Sequence, residues 1–309
     1  MIETHDLTKT YKNITAVNHL NLNIPQGVIF GFIGPNGAGK TTTIKMISTL
    51  LEPTYGDAIV NGFSVTKEPD AVKSQIGYMP DFFGVYDDMK VWEYLDFFAA
   101  AYKIEKQRRI GIIDDVLVLT DLESKREDMV DNLSRGMKQR LCLAKTLVHD
   151  PKVLLLDEPA SGLDPRARIE MRELLKELKR MGKTILISSH ILSELEDFVD
   201  TIGIIERGTL LASGNVKSIL QQIRANRRFV ITVSDQVETA HLLLRDLPEV
   251  QHIEREGNTL VVEVHDSPDG DDPDLLKILV LNDIRVIAFH EEETDLEDIF
   301  MTITQGVVA

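Results

Sequence analysis

The chain has 309 residues, with 50 Asp and Glu against 34 Lys and Arg, for a formal net charge of −16. That length favours a large core and two domains, and so acidic a balance, without a Lys/Arg run of the kind that nucleic-acid phosphates demand, argues against wrapping DNA or RNA. One cysteine, Cys142, leaves no internal disulfide; the opening M-I-E-T-H-D-L shows no signal-peptide pattern, and no apolar run approaches the ~18 residues of a membrane span.

Residues 1–27 read as antiparallel strands around Ile2–Leu7 and Val17–Ile24, with a turn near Lys12 and Asn13. Tyr11 falls in the loop between them. A loop tyrosine usually packs or faces water, but a ring can also stack on a base, with a gain of about 1–3 kcal/mol. Next, V-I-F-G-F-I (28–33) is a short apolar strand that ends in a glycine-rich turn, and a helix runs from Lys40 to Leu50. Gly34, Gly39, Lys40 and Thr41 fit the pattern G-x-x-x-x-G-K-[ST]. Glycines let backbone N–H groups curl around a polyphosphate, and the helix N-terminus adds partial positive charge. Lys40 is placed to reach the β- and γ-phosphates and the Thr41 hydroxyl to hold Mg²⁺. This stretch predicts a nucleoside triphosphate site.

Further along, Gly56–Val60 reads as a strand, Ala71–Ser74 as part of a short helix and Ile76–Met79 as a strand. The loop from Pro80 to Val91 carries Phe82, Phe83 and Tyr86 among acids, residues that serve either packing or the docking of a partner. Helices follow over Val91–Tyr102 and Ile110–Leu119, the first with Val91, Leu95, Phe98 and Tyr102 on one face. Ser134 is an N-cap for the helix that contains Cys142, whose apolar surroundings predict a buried thiol. V-L-L-L-D-E-P (153–159) is a buried parallel strand that delivers Asp157 and Glu158 to the sheet's C-terminal edge, where open α/β sheets bind ligands. There Asp157 can hold Mg²⁺, and Glu158 can orient or deprotonate a water. Arg168–Met181 is an amphipathic helix, Thr184–Ser188 a second buried strand, and His190 follows at the same edge.

Taken in order, Tyr11, G-P-N-G-A-G-K-T-T (34–42), L-S-R-G-M-K-Q-R (133–140), V-L-L-L-D-E-P (153–159), S-G-L-D-P (161–165) and S-S-H (188–190) make the chain resemble the ATP-binding subunit of an ABC transporter. The resemblance covers residues 1–220. It implies an α/β P-loop NTPase: a RecA-like core with an antiparallel β subdomain and a helical subdomain over about 85–140. ATP and Mg²⁺ are the implied cofactors. Tyr11 would stack on adenine, and Gly34, Asn36, Gly37, Ala38, Gly39, Lys40, Thr41 and Thr42 would cradle the phosphates. Thr41 and Asp157 would hold the metal, Glu158 would be the base for the attacking water, and His190 would contact the γ-phosphate. Ser134 and Gly136 would clamp ATP bound to a second ATP-binding subunit, in a homodimer or heterodimer, with Asp164 across the interface. An integral membrane permease would be the other partner, placing the chain in the cytoplasm at the inner face of the membrane. Hydrolysis would open the dimer and move the permease, export-type members being the subgroup the motifs fit.

Two positions depart from the family pattern. Asp81 stands where a glutamine is usual near Mg²⁺; an aspartate can bind the metal directly or through water, but it is shorter and charged. The clamp motif reads L-S-R-G-M, which leaves Met137 where a final glutamine is usual. A soluble ABC-type ATPase of DNA repair or translation is a second reading, against which stand one cassette, one cysteine and no heptad array. A regulatory ATP-binding module without turnover is a third, motivated by Asp81 and Met137.

Residues 221–309 lie outside the resemblance to the ATPase. A basic stretch (224–228) leads into strand Phe229–Val233, helix Val237–Leu247, strands Val250–Arg255 and Thr259–Val264 joined by a hairpin turn, helix Pro273–Asn282 and strand Arg285–His290. This β-α-β-β-α-β order predicts a small α+β ferredoxin-like domain, with a polar loop at Asp266–Asp274. Thr294 and Glu297 form a capping box for a last helix. It resembles an accessory domain of export-type ATPase subunits.

Overall fold

The computed structural model describes residues 1–82, 84, 88–191, 194–195, 197–216, 219, 226–265 and 274–292. Its contacts divide the chain into two units, Met1–Val216 and Lys217–Ala309.

The first unit opens with an antiparallel hairpin, β1 (Ile2–Tyr11) and β2 (Ile14–Leu20), and the short β3 (Asn23–Ile24) pairs with the start of β1. The single strand expected over Val17–Ile24 is therefore two pieces. Between them the Leu22 N–H donates to Thr4 Oγ1 (2.7 Å), and that hydroxyl donates to Leu20 O (2.8 Å). A buried threonine takes over the ladder where the strand breaks. After β4 (Ile29–Ile33) and α1 (Lys40–Ile47), strands β5 (Tyr55–Val60) and β6 (Phe63–Ser64) complete this small sheet in the order β2-β1-β5-β6.

Helix α2 (Pro69–Gln75) and β7 (Ile76–Met79) lead into three helices, α3 (Val91–Ala101), α4 (Lys106–Leu119) and α5 (Arg135–Leu147). They are followed by β8 (Val153–Asp157), α6 (Pro165–Arg180), β9 (Thr184–Ser189), β10 (Thr201–Glu206) and β11 (Thr209–Asn215). The main sheet runs β11-β10-β4-β9-β8-β7, all neighbours parallel except the edge pair β10–β11. Every residue of β4, β8 and β9 is buried, as expected of parallel strands covered on both faces. Phe30, Phe32, Leu155 and Leu186 share one core cluster with Ile44, Met46 and Ile47 of α1. Each such side chain contributes about 1.5–3 kcal/mol on burial. Cys142 is buried in α5, where desolvation raises its pKa.

The strand registers matter most for function. Ile33 lies opposite Ser189, Ser188 opposite Asp157, and Leu156 opposite Met79, so the C-terminal ends of β4, β9, β8 and β7 form one continuous edge.

Two helical expectations need correction. The buried face of α3 is Val91, Tyr94, Leu95 and Ala99, while Tyr102 is outside the helix, exposed and stacked on His149 with centroids 3.8 Å apart. Helix α4 starts at Lys106, one turn before Ile110, because its first turn is polar and largely exposed and so leaves no apolar period to read. In the loop after β7, the Phe82 side chain is 90% exposed and so does not pack; Phe83 and Tyr86 lie outside the described residues.

The second unit contains β12 (Asn226–Val233), a helix here termed α7 (Val237–Arg245), β13 (Val250–Glu256), β14 (Thr259–His265), α8 (Leu275–Leu281) and β15 (Val286–Glu292). Its sheet is antiparallel in the order β13-β14-β12-β15, the ferredoxin-like arrangement. Phe229, Ile231, Val262, Ala240 and Leu279 are among the residues that close its core between sheet and helices. The β13–β14 turn has two residues, with Glu256 opposite Thr259. Residues 266–273, and Thr294 with Glu297, lie outside the described residues.

Leu155 sits fully buried in the centre of β8. Leu155→Ala is expected to lower unfolding stability by about 2–5 kcal/mol in urea titration. A loss below ~1 kcal/mol would mean that the sheet is not the core on which the first unit depends.

Candidate functional site

Between β4 and α1 the chain wraps closely around its own neighbours. Gly39 has φ +108, and a Cβ there would lie 2.5 Å from Ala16 O of β2, so only glycine fits. The turn sends Lys40 back across the loop. Its ammonium, in a side chain 6% exposed, donates to Gly34 O (2.6 Å) and Pro35 O (3.3 Å) and lies 3.4 Å from Glu158 Oε1.

The carboxylates are fixed from β9. Ser188 Oγ donates to Asp157 Oδ1 (2.6 Å) and accepts the Glu158 N–H (3.0 Å). Glu158 has φ +51, a left-handed conformation that a non-glycine residue adopts only when its surroundings hold it there. Its Oε2 accepts from His190 Nδ1 at 2.8 Å. Glu158 thus stands between an ammonium on one oxygen and an imidazole on the other. Asp81 joins the same wall; burial, then Asp157 and Glu158, raise its pKa, against the opposing fields of His190 and Arg135. Tyr78 registers the same negative field: burial, Asp157 and Asp81 push its pKa up to about 12.

These groups surround a cleft of about 290 Å³. It is lined by Asn36, Gly37, Ala38, Gly39, Lys40, Thr41, Thr42, Asp81, Glu158 and His190, brought together from four segments. Ala16, Pro35 and Ser161 line it too, and motif reading alone did not assign them to the site. Gly34 takes part through its carbonyl, and Asp157 lies beneath, reached through Ser188. Ser188 was quoted in S-S-H without a role; its position one residue before the edge of a buried strand is the signal that could have found it.

Four expected residues lie elsewhere. Tyr11 is 44% exposed at the end of β1, with Lys9 Nζ 5.5 Å from its ring centroid, and does not line the cleft. Ser134 caps α5 by accepting from Met137 N–H (3.3 Å), and Asp164 caps α6 by accepting from Ala167 N–H (2.9 Å). A Cβ on Gly136 would come 3.2 Å from the Ala167 side chain, so the first turns of α5 and α6 pack directly together.

Among the described residues no cluster of three or more His, Cys, Asp or Glu forms a complete metal site. Mg²⁺, however, is commonly held by one or two carboxylates plus substrate phosphates. Asp157 Oδ2 is buried with no hydrogen-bond partner, in the negative field that Tyr78 reports. That unsatisfied acceptor fits a divalent cation.

Comparison with known proteins agrees with this geometry. The ABC transporter family model matches residues 17–161, and the model of the C-terminal domain of DrrA1-3-like ATP-binding proteins matches residues 214–304. The bacitracin transport ATP-binding protein BcrA of Bacillus licheniformis is 38% identical over 99% of this chain and 98% of its own length. The Nod factor export ATP-binding protein I of Rhizobium meliloti is 32% identical over 98% of this chain and 88% of its own. A solved structure described as a dimeric post-hydrolysis state of the ATP-binding cassette MJ0796, bound to ADP and Pi, covers 70% of this chain and 99% of that one, with 25% identity and a TM-score of 0.63.

Replacing Ser188 by alanine would leave the Glu158 N–H and Asp157 Oδ1 without their shared partner. Ser188→Ala is expected to cost about 1–3 kcal/mol of unfolding stability in urea titration. A change below ~0.5 kcal/mol would show that the hydroxyl does not hold the two acids.

Proposed function

The chain belongs to the ATP-binding proteins of ABC transporters, and from that premise we propose that it hydrolyses ATP to drive export through a separate membrane permease. The observation that supports this best is Glu158, held between Lys40 and His190 at the edge of the parallel sheet. Of the relatives, one named for bacitracin transport and one for Nod factor export, the second favours the export direction. No helix among the described residues is long and apolar enough to cross a membrane, so the path for cargo is assigned to the partner.

In this reading the backbone of residues 34–39, with Thr42, cradles the phosphates, and Lys40 exchanges its carbonyl partners for β- and γ-phosphate oxygens. Thr41 and Asp157, with Asp81, would hold Mg²⁺, which supplies charge neutralisation across the β- and γ-phosphates when bound. Glu158 accepts a proton from the attacking water, and His190 orients Glu158 and contacts the γ-phosphate. Tyr11 supplies a ring for adenine.

Ser134, Gly136 and Asp164 belong to a second half-site. The first turns of α5 and α6 pack together, and helix N-termini carry a positive dipole end and N–H groups without intrahelical partners that suit an anion. A second ATP-binding subunit would present its triphosphate to them, so that ATP bridges the two subunits. Several charge-assisted hydrogen bonds, each about 1.5–3 kcal/mol, suffice for the roughly 5.5 kcal/mol that turns a 1:99 equilibrium into 99:1. Cleaving the γ-phosphate removes the shared ligand, and the permease moves with the separating subunits at the inner face of the membrane. Exposed Phe82 belongs to the surface that meets the permease. Residues 1–220 form the ATPase domain and 221–309 an accessory domain.

Glu158→Gln is expected to lower kcat by roughly 10²–10⁴-fold while retaining ATP, and to migrate as a dimer in size-exclusion chromatography with Mg-ATP. A monomer at saturating ATP would overturn the two-subunit site. Lys40→Ala is expected to abolish turnover in the same assay; undiminished hydrolysis would remove the phosphate loop from the mechanism.

A further inference from the structure

We infer that Arg135 is a positioning residue: it clamps the loop between Glu158 and Asp164 to the start of α5 and so sets where Glu158 stands in the cleft. The inference rests on the reading of Glu158 as the base.

The loop from Glu158 to Asp164 is short and folds on itself, with Ser161 N–H donating to Glu158 O (3.0 Å) and Leu163 N–H to Ala160 O (3.3 Å). Its two ends are tied down. Ser188 holds the Glu158 N–H, and Asp164 is committed as the cap of α6. Its middle is held from a different segment. Arg135, the first residue of α5, donates from Nη2 to Ser161 O (3.2 Å). Its guanidinium also lies over Gly162, where an added Cβ would run into all three of its outer atoms. Gly162 has φ +67, which favours glycine for its backbone, and an added Cβ would push the guanidinium off the position where it rests. Ser161 itself lines the cleft with Glu158, so a shift of the loop moves the cleft wall and the base together.

The chemistry suits arginine in particular. A planar guanidinium can lie flat on a side-chain-free stretch of backbone while one of its N–H groups reaches a carbonyl; a lysine ammonium cannot do both. Arg135 is exposed, so screening keeps its contribution to stability small. Its effect is therefore geometric.

The test uses the full chain with Arg135→Ala, Arg135→Lys, Gly162→Ala and the Arg135→Ala/Gly162→Ala double variant. ATP turnover and thermal unfolding are measured for each. A base displaced by a fraction of an ångström to an ångström lowers kcat roughly tenfold to a hundredfold, so Arg135→Ala is expected to do so with KM for ATP changed less than about twofold. Arg135→Lys should not restore the rate. Gly162→Ala should lower Tm more beside Arg135 than in the Arg135→Ala background, where only backbone strain remains. A raised KM at unchanged kcat would instead make Arg135 a direct phosphate ligand and overturn the inference. Equal Tm losses in the two backgrounds would also overturn it. Were the wild-type chain inert towards ATP, the proposed function would fall, and the Tm comparison alone would decide whether the clamp exists.

Discussion

The Ser188 hydroxyl is the contact on which the cleft depends. It gives its proton to Asp157 and takes the N–H of Glu158, so one buried atom on β9 holds two consecutive acids at the end of β8. Glu158 needs that support. A left-handed backbone costs an ordinary residue roughly 1–2 kcal/mol, and a buried hydrogen bond returns a similar amount. Asp157 is buried in the protein, while Glu158 faces Lys40 and His190. The shared hydroxyl requires β8 and β9 to be in register, with Asp157 opposite Ser188.

Charge is sorted across the cleft. Asp81, Asp157 and Glu158 lie on one side, and the raised pKa values of Tyr78 and Asp81 record their mutual repulsion and burial. Opposite them are Lys40, the glycine-rich turn and the first turn of α1, whose N–H groups favour an anion. Such a division suits a ligand that brings its own negative charge together with a divalent cation. Neither half is electrostatically complete without the other, a condition under which small movements of the loop carrying Glu158 have large effects on the field.

The strongest local signals in the chain are those whose physics is local. The run V-L-L-L-D-E-P (153–159) can be read because a strand buried on both faces has no polar position to place, and the observed strand covers Val153–Asp157 of it. Ile76–Met79 and the ferredoxin-like order of the second unit were legible for similar reasons of period and turn chemistry. Errors came where the stabilising partner is distant in sequence. Thr4 breaks the strand after Leu20, which nothing between residues 17 and 24 announces. The face of α3 was misread because Tyr94 is buried whereas Tyr102 stacks on His149, a partner 47 positions later. The polar first turn of α4 has no apolar period at all.

The amino-acid order by itself determined the family, the phosphate loop and the chemical kinds of residue gathered for the reaction, because short motifs encode backbone geometry and side-chain chemistry within a few positions. It also gave the identity of the residues flanking Glu158, but not what holds them. Only the tertiary structure decided that Ser188 fastens both acids, that Ser161 and Ala16 reach the cleft, and that Arg135 lies across Gly162. Those contacts depend on strand register and on the packing of α5 against α6, which are set by the whole core and by no single stretch of chain.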